Sequence, residues 1–221
     1  SICRYLDDCP QAWQPVTIKQ LLNHTSGIVN FTRLPEASGS FLLLPHTHKE
    51  IVDVFRNLPL ESAPGEKYNY NNSGYYLLGL IVEKTSGEKY ADYLRKNLFA
   101  PLGMNDTDSD DGETIVKNRA SAYYLGKDSI FRNTYYTNME ILFSIGGAYS
   151  TVNDLLLWQQ SLRSDKILSS ASRAEMFTPG KGNYGYGWWI DRLGSCPRRM
   201  YHDGGITNFS TSLQVLTGER L

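Results

Sequence analysis

Tyr70 and Asn72 place two polar side chains directly before a predicted helix, just after the turn signal at Pro64-Gly65. A phenol is normally too weak an acid to act as a base near neutral pH, although cationic neighbours could lower its pKa or let it relay a proton. An amide both donates and accepts hydrogen bonds, so Asn72 could hold a carbonyl group or could cap the helix that follows. Tyr70 could also be one more core tyrosine among the 15 in the chain.

A second polar segment, His202-Asp203-Gly204-Gly205, follows a predicted strand near the other end of the sequence. An imidazole can become cationic, though only in part at neutral pH. The missing side chain at Gly204 would let the backbone of a ligand lie against the strand edge. Taken alone, His202 would be read as an ordinary surface histidine.

The cysteines and the other histidines do not form a metal-ligand pattern. His46 and His48 lie at a predicted helix start and lack partners for a metal site. We therefore predict no metal and no cofactor. Cys3 and Cys9 are close enough in sequence to pair, and the odd count leaves Cys196 over, so a single disulfide and three reduced thiols both remain open.

The composition is that of an ordinary soluble globular protein of 221 residues, with 41% hydrophobic and 20% charged residues. Its formal net charge of -1 and its scattered Lys and Arg residues exclude the basic face that nucleic acid would need. No apolar run approaches the length of a membrane span. The chain opens at Ser1 without a Met, so the sequence does not reveal its compartment.

The elements that must position these residues change character along the chain. Thr17, Thr47 and Thr151 are predicted helix caps. The predicted helices cover residues 18–23, a segment after Thr47, 73–84, 89–98, a segment after Thr151, and 170–177, with loops that could include a hairpin at 105–140. The helix at 89–98 is expected to end before Pro101. Strands are predicted at 184–190, 199–202 and 209–216.

This order predicts an α+β protein with a mostly helical lobe at 1–180 and part of an antiparallel sheet at 181–221. A sheet of two or three strands has an unpaired edge and little stability of its own. We therefore expect the sheet to be incomplete, since the chain ends at 218–221, where a partner for the last strand would begin.

Several segments, spread over nearly the whole chain and found in a fixed order, resemble the motifs of one family. They are residues 17–27 (TIKQLLNHTSG), 64–75 (PGEKYNYNNSGY), 78–79 with 86–87, 101–104 (PLGM) with Thr107, 146–154 (GGAYSTVND), 186–188 (YGW) and 202–205 (HDGG). On these motifs the sequence is similar to the class C β-lactamase and D-alanyl-D-alanine carboxypeptidase family of penicillin-recognising serine hydrolases. The resemblance implies a β-lactamase/transpeptidase-like fold.

The resemblance also implies a metal-independent serine hydrolase that cleaves an ester, amide or peptide through an acyl-enzyme. In that scheme Tyr70 is the base or proton relay, and Asn72 and His202 orient the substrate. Gly204 lies along the substrate, and the Gly205 N–H donates to the oxyanion. His202 stands where the family usually has Lys, which is a recognised variant.

Asp203 departs from the family pattern, which has Thr or Ser at this position to bind a substrate carboxylate. An aspartate there would repel such a carboxylate at close range. We therefore expect weak β-lactam turnover and a preference for neutral or cationic esters, amides or peptides.

The family's nucleophile lies in a Ser-x-x-Lys turn that precedes the motif at 17–27, and no such segment is present there. Ser1-Ile2-Cys3-Arg4 is no substitute, because arginine stays protonated. Ser86-Gly87-Glu88-Lys89 matches literally, but Gly87 is expected to end a helix there. We expect the nucleophile in a missing N-terminal segment of the same protein, and no activity from the chain as given.

Two alternatives remain open. The parent protein could be a catalytically silent relative that binds peptidoglycan-like or acylated ligands as a sensor, or these residues could be an inactive fragment. The expected partner is a small-molecule or peptide substrate. Family resemblance alone favours a periplasmic or secreted location.

Overall fold

The computed structural model describes residues 1–217, without the side chains of Cys196 and Pro197. The predicted end of the chain at 218–221 and the redox state of Cys196 lie outside this description. The helices in chain order are α1 (Ile18–Leu22), α2 (His48–Asp53), α3 (Asn72–Ser86), α4 (Tyr90–Leu94), α5 (Ala100–Leu102), α6 (Phe143–Gly146), α7 (Val152–Ser161) and α8 (Ser170–Met176).

Three helices begin where the sequence predicts, because a threonine caps each one. The Thr17 and Thr47 hydroxyls accept from the backbone N–H three residues on. The side chains of Gln20 and Glu50 in turn accept from the backbone N–H of the capping threonine, which completes a capping box. Thr151 accepts from the Asp154 N–H at the start of α7. These local bonds satisfy the N–H groups that a helix start leaves free.

The segment after α4 differs from the prediction that its helix ends before Pro101. A π-helical turn at Arg95–Phe99 joins α4 to α5, and helical structure continues through Pro101 to Leu102. Pro101 follows directly on the π-helical turn, where the regular α-helical pairing is already interrupted. Gly103, in the left-handed conformation, then ends the helix.

The main sheet has three antiparallel strands in the order β5 (Trp189–Leu193), β6 (Cys196–Ile206) and β7 (Phe209–Thr217). The remaining strands form two small antiparallel pairs: β1 (Asp108–Ser109) with β4 (Ala148–Tyr149), and β2 (Tyr123–Leu125) with β3 (Phe131–Asn133). Helices together with antiparallel sheets confirm the predicted α+β class.

Two strands of the main sheet differ from their predicted bounds. β5 begins at Trp189 rather than at 184, because a tight turn precedes it: the Gly185 N–H donates to the Trp188 carbonyl at 2.8 Å, and Gly187 has a φ of 78°. β6 continues past His202 through both glycines to Ile206. It does so because β7 pairs with it along its whole second half, after a two-residue turn.

The buried apolar residues form two clusters. The larger one holds the helical part together and includes Trp13, Leu21, Phe55 and Tyr76. The smaller one, around Trp188 and Met200, packs α7 and α8 against one face of the main sheet. A disulfide joins Cys3 to Cys9, which settles that pair in favour of the oxidised form in this structure.

Candidate active site

Tyr70 lies on the segment immediately before α3, and its ring faces the main sheet. The phenol ring stacks on Trp189 at a centroid distance of 5.7 Å, and its centroid is 6.1 Å from that of His202. Trp189 in turn contacts the His202 ring at 4.6 Å. Two residues separated by more than half of the sequence therefore meet around one tryptophan.

Both ring nitrogens of His202 have partners within the protein. Nδ1 lies 2.7 Å from the carbonyl oxygen of Asp203, and Nε2 lies 3.0 Å from the hydroxyl of Tyr184. Since a carbonyl can only accept, Nδ1 carries the proton, and a neutral ring then accepts from Tyr184 through Nε2. Burial lowers the pKa of His202 and raises that of Tyr184, so a neutral imidazole facing a protonated phenol is the form at neutral pH.

The segment from His202 to Ile206 presents one open backbone edge. The pairing of β5 with β6 ends at Trp189 and Tyr201, and within residues 1–217 only β7 pairs with β6 beyond that point. Ile206 and Phe209 flank a two-residue turn and form a hydrogen-bonded pair. Because such pairs alternate along an antiparallel ladder, the Gly205 N–H points away from β7, toward the open edge.

The two glycines at 204 and 205 have different surroundings. A Cβ at Gly204 would collide with Oγ1 of Thr211, its partner on β7. A Cβ at Gly205 would have no atom within 4 Å. The missing side chain at Gly204 therefore serves the contact with β7, whereas the open space that we predicted for a ligand lies at Gly205.

Asp203 is exposed and close to a cation. Arg199 is paired with Asp191 at 2.7 Å and lies 4.0 Å above the Tyr201 ring. The hydrogen bond from Arg199 to Asp191 is the main cause that raises the pKa of the Arg199 guanidinium, and the charges of Asp191 and, more weakly, of Asp203 add to it. The carboxylate that departs from the family pattern therefore sits in the field of a guanidinium, which reduces its repulsion of an anion in part.

Asn72 is the predicted site residue that the structure does not bring to this cluster. Its amide nitrogen donates to Thr32 Oγ1 at 3.0 Å, and no hydrogen bond within residues 1–217 joins it to Tyr70 or His202. The suggestion that Asn72 caps the following helix is wrong, because Asn71 does so: its Oδ1 accepts from the Gly74 N–H at 2.9 Å. Asn72 is instead the first residue of α3.

Sequence reasoning missed Tyr184 and Trp189 as site residues. Both flank the Tyr186-Gly187-Trp188 motif, and the tight turn at that motif brings them together, as the bridge between their backbones shows. The motif itself was the only available signal. The turn aims both side chains at His202.

The Ser86–Lys89 match spans a helix end, as predicted. Gly87 has a φ of 72° and caps α3, while Lys89 is the N-cap of α4. The Ser86 hydroxyl donates to the Val82 carbonyl at 2.7 Å. The two side chains therefore do not share the helical face that a serine–lysine pair requires.

Neither a metal cluster nor a membrane-spanning helix occurs in the part of the chain that the structure describes. No group of three or more His, Cys, Asp and Glu side chains there could hold a metal ion. None of its helices is long and apolar enough to cross a bilayer.

Comparison with known proteins identifies the family. The family model described as Beta-lactamase matches residues 1–221. The chain therefore belongs to the Beta-lactamase family of penicillin-recognising serine hydrolases, as the motifs predict. It is 32% identical to penicillin-binding protein 4* of Bacillus subtilis, over 95% of this chain and 50% of that protein. The chain spans 50% of the length of this protein, 36% of a mitochondrial serine beta-lactamase-like protein of Mus musculus and 46% of a putative penicillin-binding protein of Bacillus subtilis.

Solved structures show the same fold. A D-stereospecific amidohydrolase from Streptomyces superposes with a TM-score of 0.84 at 26% identity, covering 98% of this chain and 70% of that one. A penicillin-binding protein from Bacillus halodurans superposes with a TM-score of 0.83 at 24% identity, covering 98% and 68%. These similarities confirm the predicted β-lactamase/transpeptidase-like fold.

Proposed function

We propose that residues 1–221 form the part of a serine hydrolase that transfers protons and binds the substrate, and that this hydrolase works through an acyl-enzyme. The observation that carries the proposal is the meeting of Tyr70 and His202 around Trp189, beside the open edge of β6. Tyr70 comes from the segment before α3 and His202 from β6. We propose that the site lies where these two parts meet.

The nucleophile of this proposal is the serine of a Ser-x-x-Lys turn outside residues 1–221. Its oxygen attacks the acyl carbon, and its proton passes by way of the lysine and Tyr70 to the departing alcohol or amine. The Gly205 N–H donates to the oxyanion of the tetrahedral intermediate. Water then attacks the ester, releases the acid and returns the proton to serine.

In this mechanism Tyr70 acts as a proton relay and not as a phenolate that is already deprotonated before the substrate reacts. Burial raises the pKa of the Tyr70 phenol, and the neighbouring His202 is neutral, so the phenol is protonated at neutral pH. A protonated phenol can give its proton to the leaving group as it receives one from the lysine side. The Asn72 amide could bind the substrate only after breaking its hydrogen bond to Thr32.

The substrate class that we propose is a neutral or cationic amide, ester or peptide. The Asp203 carboxylate beside the open edge disfavours a substrate carboxylate, which makes β-lactam turnover weak. The names of two similar structures, the D-stereospecific amidohydrolase and a D-amino acid amidase from Ochrobactrum anthropi, support an amide.

One observation favours the catalytically silent alternative. Both ring nitrogens of His202 are occupied by protein groups, so a neutral His202 has no free donor for a substrate. A relative of this kind would bind an acylated or peptidoglycan-like ligand at the same edge without turning it over.

Covalent labelling distinguishes these functions. The full-length protein is treated with a fluorophosphonate probe, and the modified peptide is mapped by mass spectrometry. We expect the probe to label a serine in a Ser-x-x-Lys turn outside residues 1–221. A protein that consists of residues 1–221 alone should take no label. A folded full-length protein that takes no label would support the silent alternative, and a label on Ser86 would contradict the proposed nucleophile.

A further inference from the structure

His24 has an unusual backbone conformation for a residue in a buried position. Its φ is 57°, in the left-handed region that residues other than glycine rarely adopt, and its side chain is only 2% exposed. Such conformations persist only where the surrounding structure holds them, and they cluster at functional sites. The residues that His24 contacts therefore indicate what the conformation serves.

His24 holds the backbone on both sides of Tyr70. Its carbonyl oxygen accepts from the Asn69 N–H at 2.9 Å, and its Nδ1 accepts from the Asn71 N–H at 3.1 Å. Its ring also packs on the Tyr70 ring, at a centroid distance of 4.3 Å. One residue therefore holds the backbone N–H of Asn69 before Tyr70, the backbone N–H of Asn71 after it, and the phenol ring itself.

Nδ1 of His24 remains a hydrogen-bond acceptor at neutral and mildly acidic pH, because the ring stays neutral there. Burial, followed by the nearby charge of His202, lowers the pKa of His24 to about 3. A neutral ring that accepts through Nδ1 carries its proton on Nε2, and this buried Nε2–H has no hydrogen-bond partner within the described residues 1–217. It lies among the rings of Tyr68, Tyr70, Tyr75 and Tyr184.

We propose that His24 is a positioning residue for Tyr70: it sets the direction of the phenol toward the open edge of β6. This role rests on the proposed function, since it matters for catalysis only if Tyr70 moves a proton. The competing interpretation is that His24 merely stabilises its own turn.

Two substitutions separate the hydrogen bond from the backbone conformation. Asparagine and glycine both accept a positive φ, so neither adds strain at this position. In His24→Asn, Oδ1 is as many bonds from the backbone as Nδ1 of histidine and can accept from the Asn71 N–H. In His24→Gly the carbonyl contact to Asn69 remains, but the side-chain acceptor and the ring are gone.

The test measures kcat and KM of the full-length protein with a neutral p-nitrophenyl ester. We expect His24→Gly to lower kcat about 10- to 100-fold with KM changed less than about threefold, because small misplacements of a catalytic group cost that much. His24→Asn should stay within about fivefold of the wild-type kcat. In a Tyr70→Phe background, His24→Gly should have no further effect, because both changes act on one group.

The results that would overturn the positioning role differ from those that would overturn the proposed function. If folded His24→Gly has the wild-type kcat while Tyr70→Phe has lost activity, the positioning role is contradicted and the proposed function is not. The positioning role is also contradicted if His24→Gly lowers kcat by the same factor in the wild type and in the Tyr70→Phe background. Full activity of Tyr70→Phe contradicts the proposed function, and the role of His24 in catalysis with it.

Discussion

The two halves of the candidate site are built in opposite ways. The Tyr70 segment is held by buried polar side chains: His24, Asn30, Asn71 and Ser73 are each at most 3% exposed, and each bonds the backbone of a neighbouring segment. The facing segment, Asp203 to Gly205, is exposed and has only β7 as a strand partner among the described residues. The helical side therefore fixes a reacting group, while the sheet side leaves an edge free for a substrate.

This difference predicts whether a substitution in each half changes mainly the stability of the fold or mainly the binding of a substrate. A buried polar network cannot lose one member without leaving another unsatisfied, so changes there cost stability. Changes along an exposed strand edge alter what binds and leave the fold nearly intact.

Acid should destabilise the buried half first, through His24. The unfolded chain binds a proton on this histidine near pH 6.5, whereas the folded protein resists protonation until about pH 3. The free energy of unfolding therefore rises with pH between pH 3 and pH 6.5 and is level above pH 6.5. The titration of His24 contributes about 5 kcal/mol to this rise. Burial of His202 acts in the same direction. Urea unfolding of the protein at several pH values measures this slope.

The variant His24→Asn is the control for the acid effect, because it removes the titrating group and keeps the acceptor. It should lose most of the pH slope between 3 and 6.5. A slope equal to that of the wild type would show that His24 is not the group responsible.

The adjacent asparagines should differ strongly in their effect on stability. Asn71→Ala removes the cap of α3 and the bond from its Nδ2 to the Ile28 carbonyl, both buried. We expect a loss of about 3 kcal/mol in the free energy of unfolding. Asn72→Ala removes only the bond to Thr32 and should cost less than about 1 kcal/mol. Equal losses in chemical denaturation would contradict the contrast between these neighbours.

On the exposed edge, Asp203→Asn should change substrate preference and leave stability unaltered. Removing a charge near the open edge should raise kcat/KM for a carboxylate-bearing amide or β-lactam about fivefold. A neutral ester serves as the matched substrate and should show no change. The prediction fails if both substrates respond alike or if neither does.

The sequence predicts those parts of the structure that depend on local chemistry. Thr17, Thr47 and Thr151 mark helix starts correctly, because a cap bonds only to residues within its own first turn. The ordered motifs identify the family and the fold and select Tyr70 and His202 as candidates. The structure brings this pair together around Trp189.

The features that the sequence does not predict depend on contacts between distant segments. β6 extends through Gly204 and Gly205 because β7 pairs with it, which the strand's own residues do not indicate. The choice of Asn71 over Asn72 as cap follows from its contact with Ile28, 43 residues away. The role proposed for His24 likewise requires knowing that its turn lies beneath Tyr70.

The central claim is that Tyr70 moves protons at this site, and the rate of acylation tests it most directly. In the full-length protein, Tyr70→Phe keeps the ring that stacks on Trp189 and removes only the hydroxyl. We expect the acylation rate with an activated amide to fall about 100- to 10,000-fold, with substrate affinity nearly unchanged. A folded Tyr70→Phe variant that is acylated at the wild-type rate would contradict the account.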